Sequence, residues 1–290
     1  NLLAGAPARQ GAAPTATPVA IGPPLPMRLI IRVFAIVTIV PFLLLVMTSL
    51  KSLPDLMHGA FALPDRPHFE NFVSAWTVGH FGTYFFNSIF VVVPVVVVST
   101  ILGLLTGFGF AFLSFPLRKS IFVVLTIGMM VPTEAFIIPL YYEMLYLHMI
   151  NTYWALILPQ IAMSVPFATL FMASAMQQLP AEILEAAVLD GATRQQVLWR
   201  VVTPLLTPAI STLALFLFIW TWNEFLIPLI LVNDDSLRTL PIGMLFFQGK
   251  YTVNTPVLTA GALIVISPII VVYLIFQRKF IEGLTSGASK

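Results

Sequence analysis

The sequence predicts an all-α membrane protein with six transmembrane helices. Of its 290 residues, 59% are hydrophobic and only 9% are charged, whereas about a quarter of the residues of a soluble domain are charged. Six apolar runs are each long enough to supply the ~20 residues that a spanning helix needs. The chain contains no cysteine, which excludes disulfides, thiol catalysis and cysteine-ligated metals.

The apolar runs lie, in chain order, at about residues 29–50, 85–112, 120–140, 154–177, 205–232 and 257–277. Residues 1–27 are instead rich in Pro, Ala, Gly and Thr. Such a segment buries too little apolar surface to offset the entropy lost on ordering. We therefore expect a disordered segment at 1–27, a six-span domain at 28–280 and a C-terminal tail at 281–290.

The distribution of positive charge predicts the orientation, because Lys and Arg are concentrated in cytoplasmic segments. With a cytoplasmic N-terminus, ten of the fourteen Lys and Arg residues fall on the cytoplasmic side of the membrane and four on the outer side. The inside group is Arg9, Arg28, Arg32, Arg118, Lys119, Arg194, Arg200, Arg278, Lys279 and Lys290. Both termini are then cytoplasmic. The long connections at about 51–84 and 233–256 are outside, where they either dock a partner or simply join spans.

Small residues mark one face of the second run. Gly103 and Gly107 are four residues apart, and Gly109 follows. Such spacing lets the backbone of a neighbouring helix approach closely. We expect a helix contact at this face.

One polar segment, residues 180–204, separates the fourth and fifth runs. It reads as two short helices joined at Gly191, because glycine readily adopts the left-handed conformation that closes a helix. Thr193, with Gln196 three residues later, forms a capping box that would start the second helix. Pro204 marks the junction with the next apolar run.

Two carboxylates lie at or near membrane depth, and both are candidates for a solute pathway. Glu134 follows a proline in the third run, and Glu224 ends a stretch that contains Trp220, Trp222 and Asn223. A carboxylate in hydrocarbon is costly and usually faces a bundle interior or a watery cavity. Indole rings and an amide beside it would suit a sugar ring. The alternative places residues 222–224 at the outer membrane interface, with Trp as a belt residue.

Motifs for enzymatic chemistry are missing from the sequence. It contains no Walker A loop, H-E-x-x-H or G-x-S-x-G, and its four histidines lack metal-ligand spacing. A net charge of only +2 does not indicate nucleic-acid binding. If the chain moves a solute uphill, the free energy must therefore come from a separate protein.

The 180–204 segment resembles the EAA loop of the membrane subunits of binding-protein-dependent ABC importers. The family pattern is E-A-A, three residues, G, nine residues, and an ending of an apolar residue, any residue, L and P. The matching positions are Glu185, Ala186, Ala187, Gly191, Val201 and Pro204. Thr203 stands where leucine is usual. The triplet with glycine and proline at this spacing is specific; the alternative is an ordinary amphipathic hairpin.

Shorter matches extend the resemblance over about residues 28–290. They are Ser49-Leu50-Lys51, Glu70-Asn71-Phe72, Asn87-Ser88, Trp222-Asn223-Glu224-Phe225 and Gly283-Leu284-Thr285-Ser286-Gly287. In this order they resemble the smaller, six-span permease of maltose-type importers, which implies an ABC type I importer permease fold.

The resemblance also implies partners. In that family a second, homologous permease pairs with the first, and two ATPase subunits carrying ATP and Mg²⁺ dock on the cytoplasmic loops. An extracytoplasmic binding protein delivers the sugar. By resemblance, coupling to the ATPases falls to Glu185, Ala186, Ala187, Gly191 and Pro204. It falls also to a tail inserted between the ATPases, comprising Gly283, Leu284, Thr285, Ser286 and Gly287.

We therefore predict a permease subunit of an ATP-driven carbohydrate importer in a bacterial inner membrane, with no catalytic site or cofactor of its own. One alternative is an importer for another polar solute, such as glycerol 3-phosphate or a glycerophosphodiester. The other is a stand-alone secondary transporter. Internal inverted repeats would favour that class, and the sequence shows none.

Overall fold

A computed structural model of the chain describes residues 25–247 and 254–286. Most of the predicted segment 1–27 lies outside them. The contacts divide the chain into two units, with the boundary between Leu43 and Leu44. Within the described ranges the secondary structure is helical, without strands.

The α-helices, numbered in chain order, are joined by three 3₁₀ segments. The helices are α1 (Leu25–Ser49), α2 (Glu70–Val78), α3 (Phe81–Phe112), α4 (Arg118–Met130), α5 (Thr133–Tyr146), α6 (Tyr153–Met176), α7 (Ala181–Leu189), α8 (Arg194–Leu205), α9 (Thr207–Asn223), α10 (Leu226–Leu231) and α11 (Thr255–Ser286). The 3₁₀ segments are Pro54–His58, Asp235–Leu237 and Leu240–Phe247.

Four of these helices, α1, α3, α6 and α11, are long and apolar enough to cross a membrane on their own. Two bent pairs, α4 with α5 and α8 with α9, pass the same test together, with bends of 100° and 79°. The described residues thus provide six spans if each bent pair crosses once. The all-α class predicted from the sequence is confirmed.

The third and fifth apolar runs, which were predicted from length and composition, are not continuous helices. Val131 is extended, with ψ 119°, because the residue before Pro132 disfavours the helical region. Glu224 is extended as well, with ψ 121°, and α10 begins two residues later. Hydropathy averages over such breaks, since the residues on both sides of each are apolar.

The close approach of α3 to α6 depends on the predicted small-residue face. A Cβ atom placed on Gly103 would lie 2.7 Å from the Cβ of Ala168, and one on Gly107 would lie 2.8 Å from the Cβ of Met172. Both distances are too short for real Cβ contacts, so only glycine fits. Gly109 is not part of this contact, because a Cβ there would meet no atom within 4 Å.

Helix α3 also anchors the second long connection, residues 232–254. The Asn87 side-chain amide donates hydrogen bonds of 2.8 Å to the carbonyl oxygens of Ser236 and Arg238. The Ser88 hydroxyl oxygen accepts the backbone N–H of Leu240 at 2.8 Å. These contacts explain why an Asn-Ser pair stands near the start of this span.

The α3–α6 contact is testable with one substitution made at two glycines of the same helix. Gly103→Ala is expected to lower the unfolding temperature of the purified protein in detergent, because overpacking a tight contact costs ~1–3 kcal/mol. Gly109→Ala, which meets open space, is the control and is expected to unfold at or slightly above the wild-type temperature. Equal behaviour of the two variants in a thermal melt would contradict the close approach.

Candidate functional site

Helix α7 ends in a closed, glycine-dependent turn. The N–H of Ala192 donates to the carbonyl of Ala187, and the N–H of Gly191 donates to the carbonyl of Val188, each at 3.0 Å. This pair of bonds is a Schellman motif, and Gly191 takes the left-handed conformation that it needs, with φ +78°. The predicted helix closure at Gly191 is confirmed.

The two faces of α7 have different environments. Leu184 and Ala187 are half-buried against the core of the same chain. Glu185 and Ala186 are exposed, as are the apolar side chains of Val188 and Leu189. An exposed apolar stripe beside a glutamate on a short helix is typical of a docking surface for another protein.

Helix α8 begins with the predicted capping box. The N–H of Thr193 donates to the Gln196 side chain at 2.8 Å, and the N–H of Gln196 donates to the Thr193 hydroxyl oxygen at 3.4 Å. Both halves of the motif are present. Local sequence therefore predicted this helix start correctly.

The middle of α8 is a π-helical turn, Val197–Val202, that the sequence analysis did not foresee. Pro204 lacks an N–H, and in a regular α-helix its ring would crowd the carbonyl four residues earlier. The carbonyl of Leu198 instead accepts both the backbone N–H and the hydroxyl of Thr203, the hydroxyl at 2.8 Å. This hydroxyl gives a physical role to the residue that replaces the usual leucine.

A cavity of about 390 Å³ lies at the opposite end of α9, where that helix breaks. Its lining consists of polar side chains from α5, α6, α9 and the break after α9, together with two apolar residues. The lining residues are Thr133, Gln160, Met163, Ser164, Ile219, Trp220, Thr221, Asn223 and Glu224. Their polar groups are hydroxyls, amides, one indole and one carboxylate.

Glu224 shapes the break as well as lining the cavity. Its Oε1 atom accepts the backbone N–H groups of Leu226 and Ile227 at 2.9 and 3.0 Å, which caps α10. The positive end of the α10 dipole also stabilises a carboxylate at this position. Asn223 is exposed, and its amide donates to the carbonyl of Ile219 at 2.8 Å.

The structure brings Trp220 to the cavity but not Trp222. The Trp220 ring is half-exposed, with its centroid 4.7 Å from that of Phe167. Trp222 is buried in the core, and its indole N–H donates to the carbonyl of Val265 at 3.0 Å. We therefore correct the expectation that Trp222 contributes to the pathway, since its polar group is already satisfied.

Glu134 is exposed in the first turn of α5, where the positive end of the helix dipole stabilises a negative charge. Its neighbour Thr133 lines the cavity, but Glu134 is not among the lining residues that the structure describes. Sequence reasoning missed Gln160 and Ser164. Their spacing of four residues within a charge-free span was the available signal, because such residues share one helix face.

Of the predicted C-terminal coupling residues, 283–286 lie on the last turns of α11, which continues through Ser286. Gly287 lies outside the described residues.

A family model supports the interpretation of the 180–204 segment. The model, described as "Binding-protein-dependent transport system inner membrane component", matches residues 99–284, more than half of the chain. The chain belongs to this family. It is therefore a multi-pass inner-membrane permease component of an ABC importer. Members of this family are transport components rather than catalysts.

Individual permeases resemble the chain along most of its length. The diacetylchitobiose uptake system permease protein NgcG of Streptomyces coelicolor is 32% identical over 256 residues, covering 88% of this chain and 85% of that one. The arabinooligosaccharides transport system permease protein AraQ of Halalkalibacterium halodurans is 33% identical, with coverages of 88% and 92%.

A solved structure has the same fold. The crystal structure of a bacterial ABC transporter involved in the import of the acidic polysaccharide alginate superposes with a TM-score of 0.74 at 22% identity. The match covers 88% of this permease and 95% of that chain. At this identity the likeness establishes the fold alone.

Substitutions at Gly191 test the role of the α7 turn. The position has open space around it, so a side chain is opposed only by the left-handed backbone. Gly191→Val is expected to cost ~1–2 kcal/mol of local strain, to leave membrane insertion intact and to reduce uptake several-fold. Gly191→Asn is the matched control, since Asn tolerates this conformation, and it is expected to transport near the wild-type rate. Equal uptake by both variants would contradict a requirement for the turn.

The cap on α10 is testable at Glu224 in uptake and melting assays. Glu224→Gln keeps a side-chain oxygen for the two N–H groups, whereas Glu224→Leu strands them at ~1–3 kcal/mol each. We expect the leucine variant to melt earlier and lose most uptake, and the glutamine variant to keep its stability and most uptake. Asn223→Leu, which removes a lining amide but no cap, is expected to lower uptake at an unchanged melting temperature. Equal uptake losses in Glu224→Gln and Glu224→Leu would show that charge, not capping, matters.

Proposed function

We propose that this permease forms, with a second homologous permease, the pathway for an uncharged carbohydrate. In this proposal an extracytoplasmic sugar-binding protein delivers the solute, and two separate ATPase subunits that bind ATP and Mg²⁺ drive transport. The permease itself carries no cofactor. The printed names of the relatives NgcG and AraQ, which concern diacetylchitobiose and arabinooligosaccharide uptake, support the carbohydrate class.

The lining of the cavity is the observation that carries the proposal. Its hydroxyl, amide and indole groups suit a polyhydroxylated ring, which needs many weak hydrogen bonds and an aromatic face. Its one charged group is the Glu224 carboxylate, and none of the described lining residues is Lys or Arg. A solute with net negative charge would enter this cavity without a cationic partner.

The same lining argues against the phosphate-bearing alternatives. Proteins usually bind phosphate groups through Arg or Lys, or at helix N-termini. The N–H groups at the start of α10 are already occupied by Glu224. Glycerol 3-phosphate and glycerophosphodiesters therefore fit this cavity poorly. Membership in a binding-protein-dependent family argues against a stand-alone secondary transporter.

We propose that both termini and the 180–204 segment are cytoplasmic. The support is the asymmetry of ten inside and four outside positive charges. In this orientation the exposed stripe of α7, with Val188 and Leu189, faces the ATPases. The cavity lies towards the other end of the rigid helix α9.

We propose further that the C-terminal residues 283–287 reach between the two ATPase subunits. Helix α11 carries the chain as a helix through Ser286, which would bring the segment beyond the membrane on the same side as α7. Gly283 and Gly287 would permit close backbone approach in a narrow cleft, with Thr285 and Ser286 available as hydrogen-bonding groups.

Orientation can be checked by cysteine labelling, since the natural chain has no cysteine. Asp65→Cys and Asp235→Cys are expected to react with an impermeant maleimide in intact cells. Arg194→Cys is expected to react only after the membrane is permeabilised. Labelling of Arg194→Cys in intact cells would reverse the orientation and remove the ATPases from this face.

Purification tests the transporter class, and truncation tests the tail. The full-length permease is expected to copurify with an ATPase, whose hydrolysis rises when the sugar-loaded binding protein is added. Deletion of residues 283–290 is expected to leave that complex assembled while stimulated hydrolysis and uptake fall several-fold. A permease that transports after purification without any ATPase would contradict the importer assignment. A truncated complex with full stimulation would contradict only the tail proposal.

A further inference from the structure

The first long connection, residues 50–69, is held by a buried lysine. The Lys51 side chain is 0% exposed, and its ammonium donates hydrogen bonds of 3.0 Å to the carbonyl oxygens of Gly59 and Ala60. A buried charge is costly unless it is well hydrogen-bonded. Its presence fixes the course of the chain between these residues, so the connection has a defined surface.

Further polar groups hold the same connection from inside. The Asn71 amide donates at 2.9 Å to the carbonyl oxygens of Ser49 and Lys51. The Asp55 carboxylate accepts the backbone N–H of Ser52 at 2.8 Å, and the hydroxyl oxygen of Ser52 accepts the backbone N–H of Asp55 at 3.3 Å. Hydrogen bonds from Ser52 lower the pKa of the buried Asp55 carboxyl, so it remains ionised at neutral pH.

The outer surface of this connection is mainly apolar, with His58 as an exposed polar side chain. Four large side chains project from it, with Met57 87%, Leu63 77%, Phe61 73% and Leu53 52% exposed. We call these four residues the apolar edge. Between residues 53 and 64 the one charged side chain, Asp55, is buried, and the exposed residues include no Asp, Glu, Lys or Arg. Exposed charge resumes only at Asp65.

We propose that the apolar edge lies in the lipid headgroup region of the membrane, beside the permease. One end of the connection joins the spanning helix α1, and the other joins the short helix α2. Helix α1 ends at Ser49, and the four residues to Leu53 reach at most about 14 Å even when fully extended. At the other end, α2 leads directly into α3. The edge is thus confined close to the surface where these spans leave the hydrocarbon.

Its composition fits lipid better than a protein partner. A binding protein that docks and leaves would expose Met57, Phe61 and Leu63 to water between deliveries, and large apolar patches on water-exposed surfaces promote aggregation. A lipid boundary covers them at all times. Segments that lie in the interface have this pattern, with bulky apolar side chains on one side and polar groups held away from the acyl chains.

Single cysteines carrying an environment-sensitive fluorophore would test this in the assembled transporter. Met57→Cys and Phe61→Cys are the test sites, and Asp65→Cys is the matched control on the same connection. In phosphatidylcholine–phosphatidylglycerol liposomes, lipids with a nitroxide high on the acyl chain are expected to quench the two test sites at least threefold more than the control. Aqueous iodide is expected to show the reverse order.

Three other results would overturn the proposal. Iodide quenching of the test sites equal to that of the control would place the edge in water. Protection from both quenchers would place it against the partner permease. Protection from iodide that appears only when the binding protein is added would make it a docking surface for that protein. Because residues 57 and 61 are exposed, labelled variants that elute as the intact complex in gel filtration are valid for all of these readouts.

Discussion

In the hydrocarbon of a bilayer, a backbone N–H or C=O that leaves the helical ladder finds no water, so every helix interruption needs an internal partner. Among its described residues, this permease has helix breaks at Val131, at Leu206 and at Glu224. The residue after Val131 is a proline, which has no backbone N–H and therefore needs no partner for one. Near the elbow at Leu206, at the end of the polar 180–204 segment, the Thr203 hydroxyl donates to the carbonyl of Leu198. At the end of α9 the Glu224 carboxylate holds the next free N–H groups. The helices are thus broken at positions where such partners occur.

Two of these breaks, at Leu206 and Glu224, lie at the two ends of the same helix, α9. Helix α9 has 17 residues, or about 26 Å of uninterrupted helix. It begins just after the elbow with α8, which follows the exposed helix α7, and it ends at the cavity. A displacement of α7 would therefore reach the cavity through a stiff rod rather than through a flexible chain. The π-helical turn in α8 is the place where such a displacement meets the least regular backbone.

Features that depend on neighbouring residues were predictable from the sequence, and features that depend on distant ones were not. The closure at Gly191 and the Thr193 capping box each involve bonds within a few residues. The apolar runs revealed the spans, because length and composition suffice for that purpose. Burial of Trp222 depends on a carbonyl 43 residues later. The wall of the cavity likewise joins Gln160 to residues more than fifty positions away, which no local pattern encodes.

The anchoring of the second long connection has an evolutionary consequence. Within this connection, Asn87 and Ser88 bond to main-chain atoms of residues 236, 238 and 240, so these bonds follow the path of the chain and not its side chains. The exposed side chains at residues 233–236 take no part in these three bonds, whereas Leu240 and Phe247 are buried in the core. A lineage could change these exposed side chains while the attachment points stayed intact.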